Sequence, residues 1–250
     1  AWPPSVGEAL RDAIVEARPD ELRQLLEHRA GASPSTAPSP STAASAMEHY
    51  SDMHGRSLLH LCAESLTTEP AASAACLRLL LAAGASCCLV NRRDCLGETA
   101  LLLAVRAAAM DAAGGLADDG ACAATSGRNR SLLAGGVRVG AAEPSPERIG
   151  AVRSLLEAQA DPNATAPSIA HETPLMEAAC ANSVPLCRLL LNFRADPRWQ
   201  NDAGLRAVDF LPERQTEPSG SDAELCLFDL LCPKSEADHL MEVSGLPPTE

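Results

Sequence analysis

Residues 171–197, HETPLMEAACANSVPLCRLLLNFRADP, put one histidine, two cysteines, two glutamates and an aspartate into a short span. Such a set could supply a thiol nucleophile with a histidine base, or ligands for a metal ion. Its spacing points elsewhere. Cys180 and Cys187 stand on either side of a helix–turn–helix pattern, with Cys187 at an apolar core position, while His171 precedes the first apolar run. Nothing in that order brings a thiol to a base.

The chain has ten cysteines: Cys62, Cys76, Cys87, Cys88, Cys95, Cys122, Cys180, Cys187, Cys226 and Cys232. None forms the Cys-x-x-Cys pair that delivers two thiolates to a tetrahedral zinc ion. Most lie within apolar helical runs, which reads as small core residues in an intracellular, reducing compartment. Cys87, Cys88 and Cys95 differ, because three thiols near a hairpin could bind a metal or react, although no fourth ligand stands close. The glycines between 114 and 140 match neither a phosphate-binding loop nor a dinucleotide fingerprint. No catalytic, cofactor or metal site is assigned, and the chain is expected not to be an enzyme.

The elements that carry these residues are helical. Hydrophobic residues make up 46% of the chain but aromatics only 2%, so Ala and Leu supply the apolar surface. That suits close-packed helices better than a β-sandwich. A net charge of −13 argues against nonspecific nucleic-acid binding and against docking on anionic lipid. Arg78 and Arg106 interrupt the two best apolar stretches, so no direct membrane span is expected. The chain opens at Ala1 without a signal-like segment. A cleaved targeting peptide, a trimmed initiator and an excerpt of a longer chain all fit that start.

A repeat runs through the sequence. "ETPLMEAA" is followed by "LCRLLLNFRADP", "GRSLLHLCA" (55–63) by "CLRLLLAAGAS" (76–86), and "GETALLLAV" (97–105) by "AVRSLLEAQADPNA" (151–164). "AGLRAVDFL" (203–211) precedes "AELCLFDLLC" (223–232), and residues 7–32 show the same helix, break, helix rhythm. In the cleanest unit Thr173 is a natural cap, Pro174 and Pro185 fit first turns, Asn182 suits a left-handed helix end and Ser183 can cap the next helix. Ala178 and Ala179 permit close helix approach, and Leu189, Leu190 and Leu191 fill the core.

These units resemble ankyrin repeats. The resemblance implies an all-α solenoid of stacked helix–turn–helix units with short β-hairpin fingers, forming one domain over 1–250. Its expected parts are an N-terminal helical cap (5–32), a Ser/Pro/Ala-rich linker (33–51), repeat 1 (52–93) and repeat 2 (94–167) with a long insertion (110–147). Repeat 3 (168–200), repeat 4 as C-terminal cap (201–232) and a polar tail (233–250) follow. Linker residues 31–46 read as a flexible spacer or as an arm that orders on a partner. From Leu175 to Leu191 the unit is uninterrupted. The wider spacing of Leu59 to Leu81, Leu101 to Leu156 and Val208 to Leu231 predicts insertions between the two helices, lined along the edge opposite the fingers.

The resemblance also gives His60 a structural task, hydrogen bonding to backbone of the adjoining turn, and lets Asp209 stand in for such a histidine in the last unit. It makes Asn163 similar to a finger asparagine that asparaginyl hydroxylases modify. It implies a noncatalytic protein–protein interaction module: an adaptor or accessory/scaffold subunit of a multi-subunit assembly. The expected partner is a protein with a basic surface, without nucleic acid or cofactor. A thiol- or metal-dependent site on the Cys87–Cys95 finger, and a targeting or regulatory module of a longer enzyme, remain the alternatives. Candidate partner-binding residues are Arg198, Trp199 and Gln200 on the last finger, with Asp94, Asp161 and His171. Trp199 either anchors a partner or packs on the neighbouring finger. Asp94, Asp161, Asp196 and Asp202 also suit turn geometry.

Overall fold

A computed structural model describes residues 4–28, 47–112 and 144–211, together with Leu227, Leu230 and Leu231. Its elements in chain order are α1 (Pro4–Val15), α2 (Pro19–His28), α3 (Leu58–Ser65), α4 (Pro70–Ala82), a one-turn α5 (Cys87–Val90), α6 (Ala100–Ala112) and α7 (Pro146–Glu157). A 3-10 turn (Pro167–Ile169), α8 (Pro174–Cys180), α9 (Val184–Asn192) and a second 3-10 turn (Ala207–Phe210) complete them. The architecture is all-α. Among the described residues, extended pairing is limited to two isolated antiparallel bridges, Arg93 with Thr99 and Ala166 with Glu172.

The local signals act as their chemistry dictates. Thr173 caps α8, its hydroxyl accepting from the Met176 N–H, and Pro174 occupies the first turn, where no amide proton is needed. Asn182 ends α8 with φ 52, in the left-handed region, and Pro185 sits in the first turn of α9. Ser183 stands at the cap position of α9, yet its hydroxyl is buried and takes no partner.

The helices stack in two layers. In one, α1, α3, α6, α8 and the last 3-10 turn pack in that order; in the other, α2, α4, α7 and α9 do the same. Neither helix of a pair can bury its apolar stripe alone, so the units share a continuous core that runs from Ile14 and Leu22 through Leu59, Leu77, Leu101 and Leu155 to Leu175 and Leu190. Ala104, Ala108, Ala178 and Ala179 are buried where the layers approach. Leu191 is only partly buried and packs against the core rather than in it.

The extra residues of the first unit are not an edge loop. They lengthen helices: α4 has 13 residues against 9 in α9, and α3 has 8 against 7 in α8. The second unit does likewise, with 13 residues in α6 and 12 in α7, so both ends of the expected 110–147 loop are helical. The reason is propensity. ALLLAVRAAAMDA holds strong helix formers, and no breaker occurs before Gly114. Residues 113–143 lie outside the described residues.

The end of segment 33–51 belongs to the stack. Residues 47–49 are helical, Met47 is fully buried, and Arg92 Nη1 donates to the carbonyls of Glu48 and Tyr50 at 3.1 and 3.2 Å. The Tyr50 ring lies against Gly7 of α1, where a Cβ would come within 3.1 Å of it. In the last unit the first helix contracts to a 3-10 turn. Linker residues 31–46, the second half of that unit apart from Leu227, Leu230 and Leu231, and the tail 233–250 lie outside the described residues.

Candidate functional site

Three turns between the units share one construction. Asp52 Oδ1 accepts the amide protons of His54 and Arg56, both at 2.8 Å. Asp94 Oδ1 accepts those of Leu96 and Glu98, both at 2.9 Å, and Asn201 Oδ1 accepts those of Ala203 and Leu205 at 3.0 and 2.9 Å. Three residues on, Gly55, Gly97 and Gly204 take φ of 72, 78 and 75, and each donates its amide to the carbonyl of the Asx residue. A short side-chain acceptor that closes the turn and a glycine that permits left-handed backbone together fix each tip. The fourth tip departs from this: its 3-10 turn ends in Ala170 and His171, with φ 55 and 58, so His171 stands at the glycine position.

The tips are also tied to one another. The Cys95 amide donates to His54 O at 2.9 Å, and the Asp202 amide to Ala170 O at 3.0 Å. His171 Nδ1 meets both Asp202 carboxylate oxygens, at 2.9 and 3.0 Å. Behind the tips, two asparagines clamp successive units. Asn91 Nδ2 donates to Gln159 O at 2.9 Å while its Oδ1 accepts the Asp161 amide at 2.7 Å. Asn163 repeats this on Arg194 O at 3.2 Å and the Asp196 amide at 2.7 Å.

His60 works within the fold. Its Nδ1 accepts the Ser57 amide proton at 3.2 Å, and its Nε2 faces the Glu98 carbonyl at 3.1 Å. An amide only donates and a carbonyl only accepts, so the ring is neutral with its proton on Nε2. Burial lowers its pKa below the usual value. In the last unit Asp209 takes the corresponding role, accepting the Arg206 amide at 2.7 Å.

Residues 171–202 match the ankyrin repeat family. They form an ankyrin repeat. No curated protein matches the chain. Ankyrin repeats are protein–protein interaction modules, and this repeat and its neighbouring turns present one continuous candidate surface.

Arg198, Trp199 and Gln200 all lie on that surface, and Trp199 is 41% exposed. Asp196 Oδ1 fixes the backbone beneath them by accepting the Arg198 amide at 2.9 Å. His171 is exposed, as is Asp161, whose carboxylate accepts the Asn163 amide at 2.9 Å. Asp94 is placed differently: it is buried, with Oδ1 spent on the turn. Two tip residues were missed by sequence reasoning, Met53 at 92% and Leu96 at 49% exposure. The signal was present in Asp52-Met-His-Gly and Asp94-Cys-Leu-Gly, where an apolar residue between Asx and Gly must point off the turn. Beside Met53 a shallow groove of about 400 Å³ is lined by Glu8, Arg11, Tyr50, Asp52 and His54.

A charged triad that sequence reasoning also missed joins α6, the turn before it and α8. Arg106 Nη1 lies 3.1 Å from Glu98 Oε1, and its Nε lies 3.3 Å from Glu177 Oε1, both carboxylates being nearly buried. Burial opposes the guanidinium charge, but Glu177 and Glu98 outweigh it and raise the pKa of Arg106 above the ordinary value.

The thiols divide into two groups. Desolvation pushes Cys62 well up, Cys76 to about 11 and Cys187 to about 12, so these three stay protonated as packing residues. Cys87, Cys88, Cys95 and Cys180 are exposed. Cys87 and Cys88 open α5 rather than lying on a hairpin, and Cys95 sits on the next turn tip. Among the described residues, no three His, Cys, Asp or Glu side chains converge as metal ligands, and no helix is long and apolar enough to cross a membrane.

Proposed function

We propose that this chain is a noncatalytic adaptor, an accessory or scaffold subunit that holds a protein partner within a larger assembly. The observation that carries the reading is the row of turn tips. Met53, Leu96, His171 and Trp199 project outward from turns whose backbone is fixed by Asx side chains, cross-turn amides and the asparagine clamps. Rigid display of apolar and aromatic side chains is what a binding hot spot requires, because little entropy is lost on contact.

The net charge of −13 favours a partner with a basic surface and disfavours nucleic acid. Free thiols fit a reducing intracellular compartment. The test is affinity capture at moderate salt with the full chain, beside Trp199→Ala and Met53→Glu variants of unchanged circular dichroism. One discrete partner that both variants release supports the adaptor reading. Recovery of the monomer alone, or capture that neither variant weakens, overturns it.

A further inference from the structure

We propose that Cys87 and Cys88 form a reversible oxidation site, a vicinal dithiol whose closure to a disulfide loosens the clamp between the first two units. The inference does not depend on which partner the chain binds.

Both thiols are exposed, unlike Cys62, Cys76 and Cys187, and they occupy adjacent positions at the start of the one-turn α5. They reach solvent from consecutive positions of a single helical turn, and Cys87 raises the pKa of Cys88 above its ordinary value. A peroxide reaching this surface therefore meets both partners of a disulfide at once. In the first step one sulfur attacks a peroxide oxygen, giving a sulfenic acid and releasing one water. In the second the neighbouring thiol attacks the sulfenyl sulfur, the S–S bond forms and a second water leaves. Two electrons and two protons pass to the peroxide, and a small dithiol reverses the process by exchange.

The structural consequence follows from geometry. Adjacent Cα atoms across a trans peptide are about 3.8 Å apart, short of the roughly 4.4–6.8 Å that an unstrained disulfide spans. Closing the ring must distort the backbone of α5. The Cys87 carbonyl accepts both the Asn91 amide at 3.1 Å and Asn91 Nδ2 at 3.0 Å. The same Asn91 side chain holds Gln159 O and the Asp161 amide in the next unit. Turning the Cys87 carbonyl away leaves the clamp without its support. A strained disulfide is also easily reduced, which suits a switch better than a staple.

The test uses the full reduced chain exposed to hydrogen peroxide, with free thiols then blocked and peptides weighed. The expected product is a Cys87–Cys88 peptide lighter by two hydrogens. Amide exchange at Asp161 should quicken by about fivefold, the factor one ordinary hydrogen bond is worth, and dithiothreitol should restore it. Asn91→Ala should quicken Asp161 exchange in the reduced protein and, because coupling is reciprocal, shift a glutathione-buffered equilibrium towards the disulfide. Cys87→Ser should leave Asp161 exchange insensitive to peroxide. Separate sulfenic or sulfinic acids without the S–S link would overturn the proposal. So would a bond from either cysteine to Cys95, or a disulfide that leaves Asp161 exchange unchanged.

Discussion

Arg148 Nε lies 2.7 Å from the carbonyl oxygen of Leu66, and its Nη2 lies 3.0 Å from that of Thr67. The guanidinium comes from the first turn of α7, yet it satisfies carbonyls freed where α3 ends. It is 6% exposed, so one side chain joins the two layers across adjacent units from inside the structure. Arg148→Ala is expected to cost about 2–3 kcal/mol, since it takes the donor from the carbonyl of buried Leu66 and removes the packing of the stem. Urea unfolding with an unchanged m-value would measure it. A loss no larger than that of the exposed Arg153→Ala would show that water replaces the guanidinium without penalty.

His60 makes stability depend on pH in a defined direction. Its folded pKa lies below the ordinary 6.5, because burial disfavours the imidazolium. Between those two values the unfolded chain binds more protons than the folded one, so stability rises with pH there. The contribution is complete above about 6.5 and is lost as pH falls from that value towards the folded pKa. Urea midpoints recorded from pH 8 to pH 5 should decline below neutrality, and His60→Gln should flatten that region of the curve. An equal decline in the variant would place the titration on another group.

Gly97 and Gly204 separate two causes of glycine dependence. Both have φ near +75, at 78 and 75, but a Cβ at Gly97 would lie 2.7 Å from Pro167 Cδ, whereas nothing lies within 4 Å at Gly204. Gly204→Ala should therefore cost only the left-handed conformation, about 1–2 kcal/mol. Gly97→Ala should cost that amount plus the displacement of Pro167, which is ring carbon and yields poorly. Thermal unfolding of the two variants side by side tests the difference. Equal losses would mean that Pro167 moves aside freely.

The helix order, the capping of α8, the left-handed Asn182 and the role of His60 were all legible because each depends on residues close in sequence or on a repeated offset. Edge loops were expected where α3, α4 and α6 in fact lengthen. Spacing counts residues without saying whether they extend a helix or leave it, and only the missing breaker in ALLLAVRAAAMDA carried that information. Asn91, Arg148 and the Glu98–Arg106–Glu177 triad were hidden for a different reason. Asn91, Arg148 and Glu177 find partners in other units, up to 82 residues away for Arg148. A polar residue in a helical pattern reads as solvent-facing until that partner is known. Trp199 stands out in the sequence as an aromatic in a turn; Met53 and Leu96 do not, because lone exposed apolar residues are common on protein surfaces.

Arg106 decides whether that triad supports the fold by charge or by shape. Two carboxylates share one guanidinium in a nearly buried setting, so removing the cation takes a charged partner from each. Ser168 Oγ, 3.3 Å from Glu98 Oε1, offers that carboxylate a neutral donor but no countercharge. Arg106→Met keeps most of the volume and should cost about 3–5 kcal/mol, the usual penalty for breaking a buried pair. Combining it with Glu98→Gln and Glu177→Gln removes both carboxylate charges, and the triple variant should recover a substantial share of the loss. Chemical denaturation of the single and triple variants supplies the comparison. If the triple variant is no more stable than Arg106→Met, the guanidinium acts through its packing between α6 and α8, and charge pairing contributes little to holding those helices together.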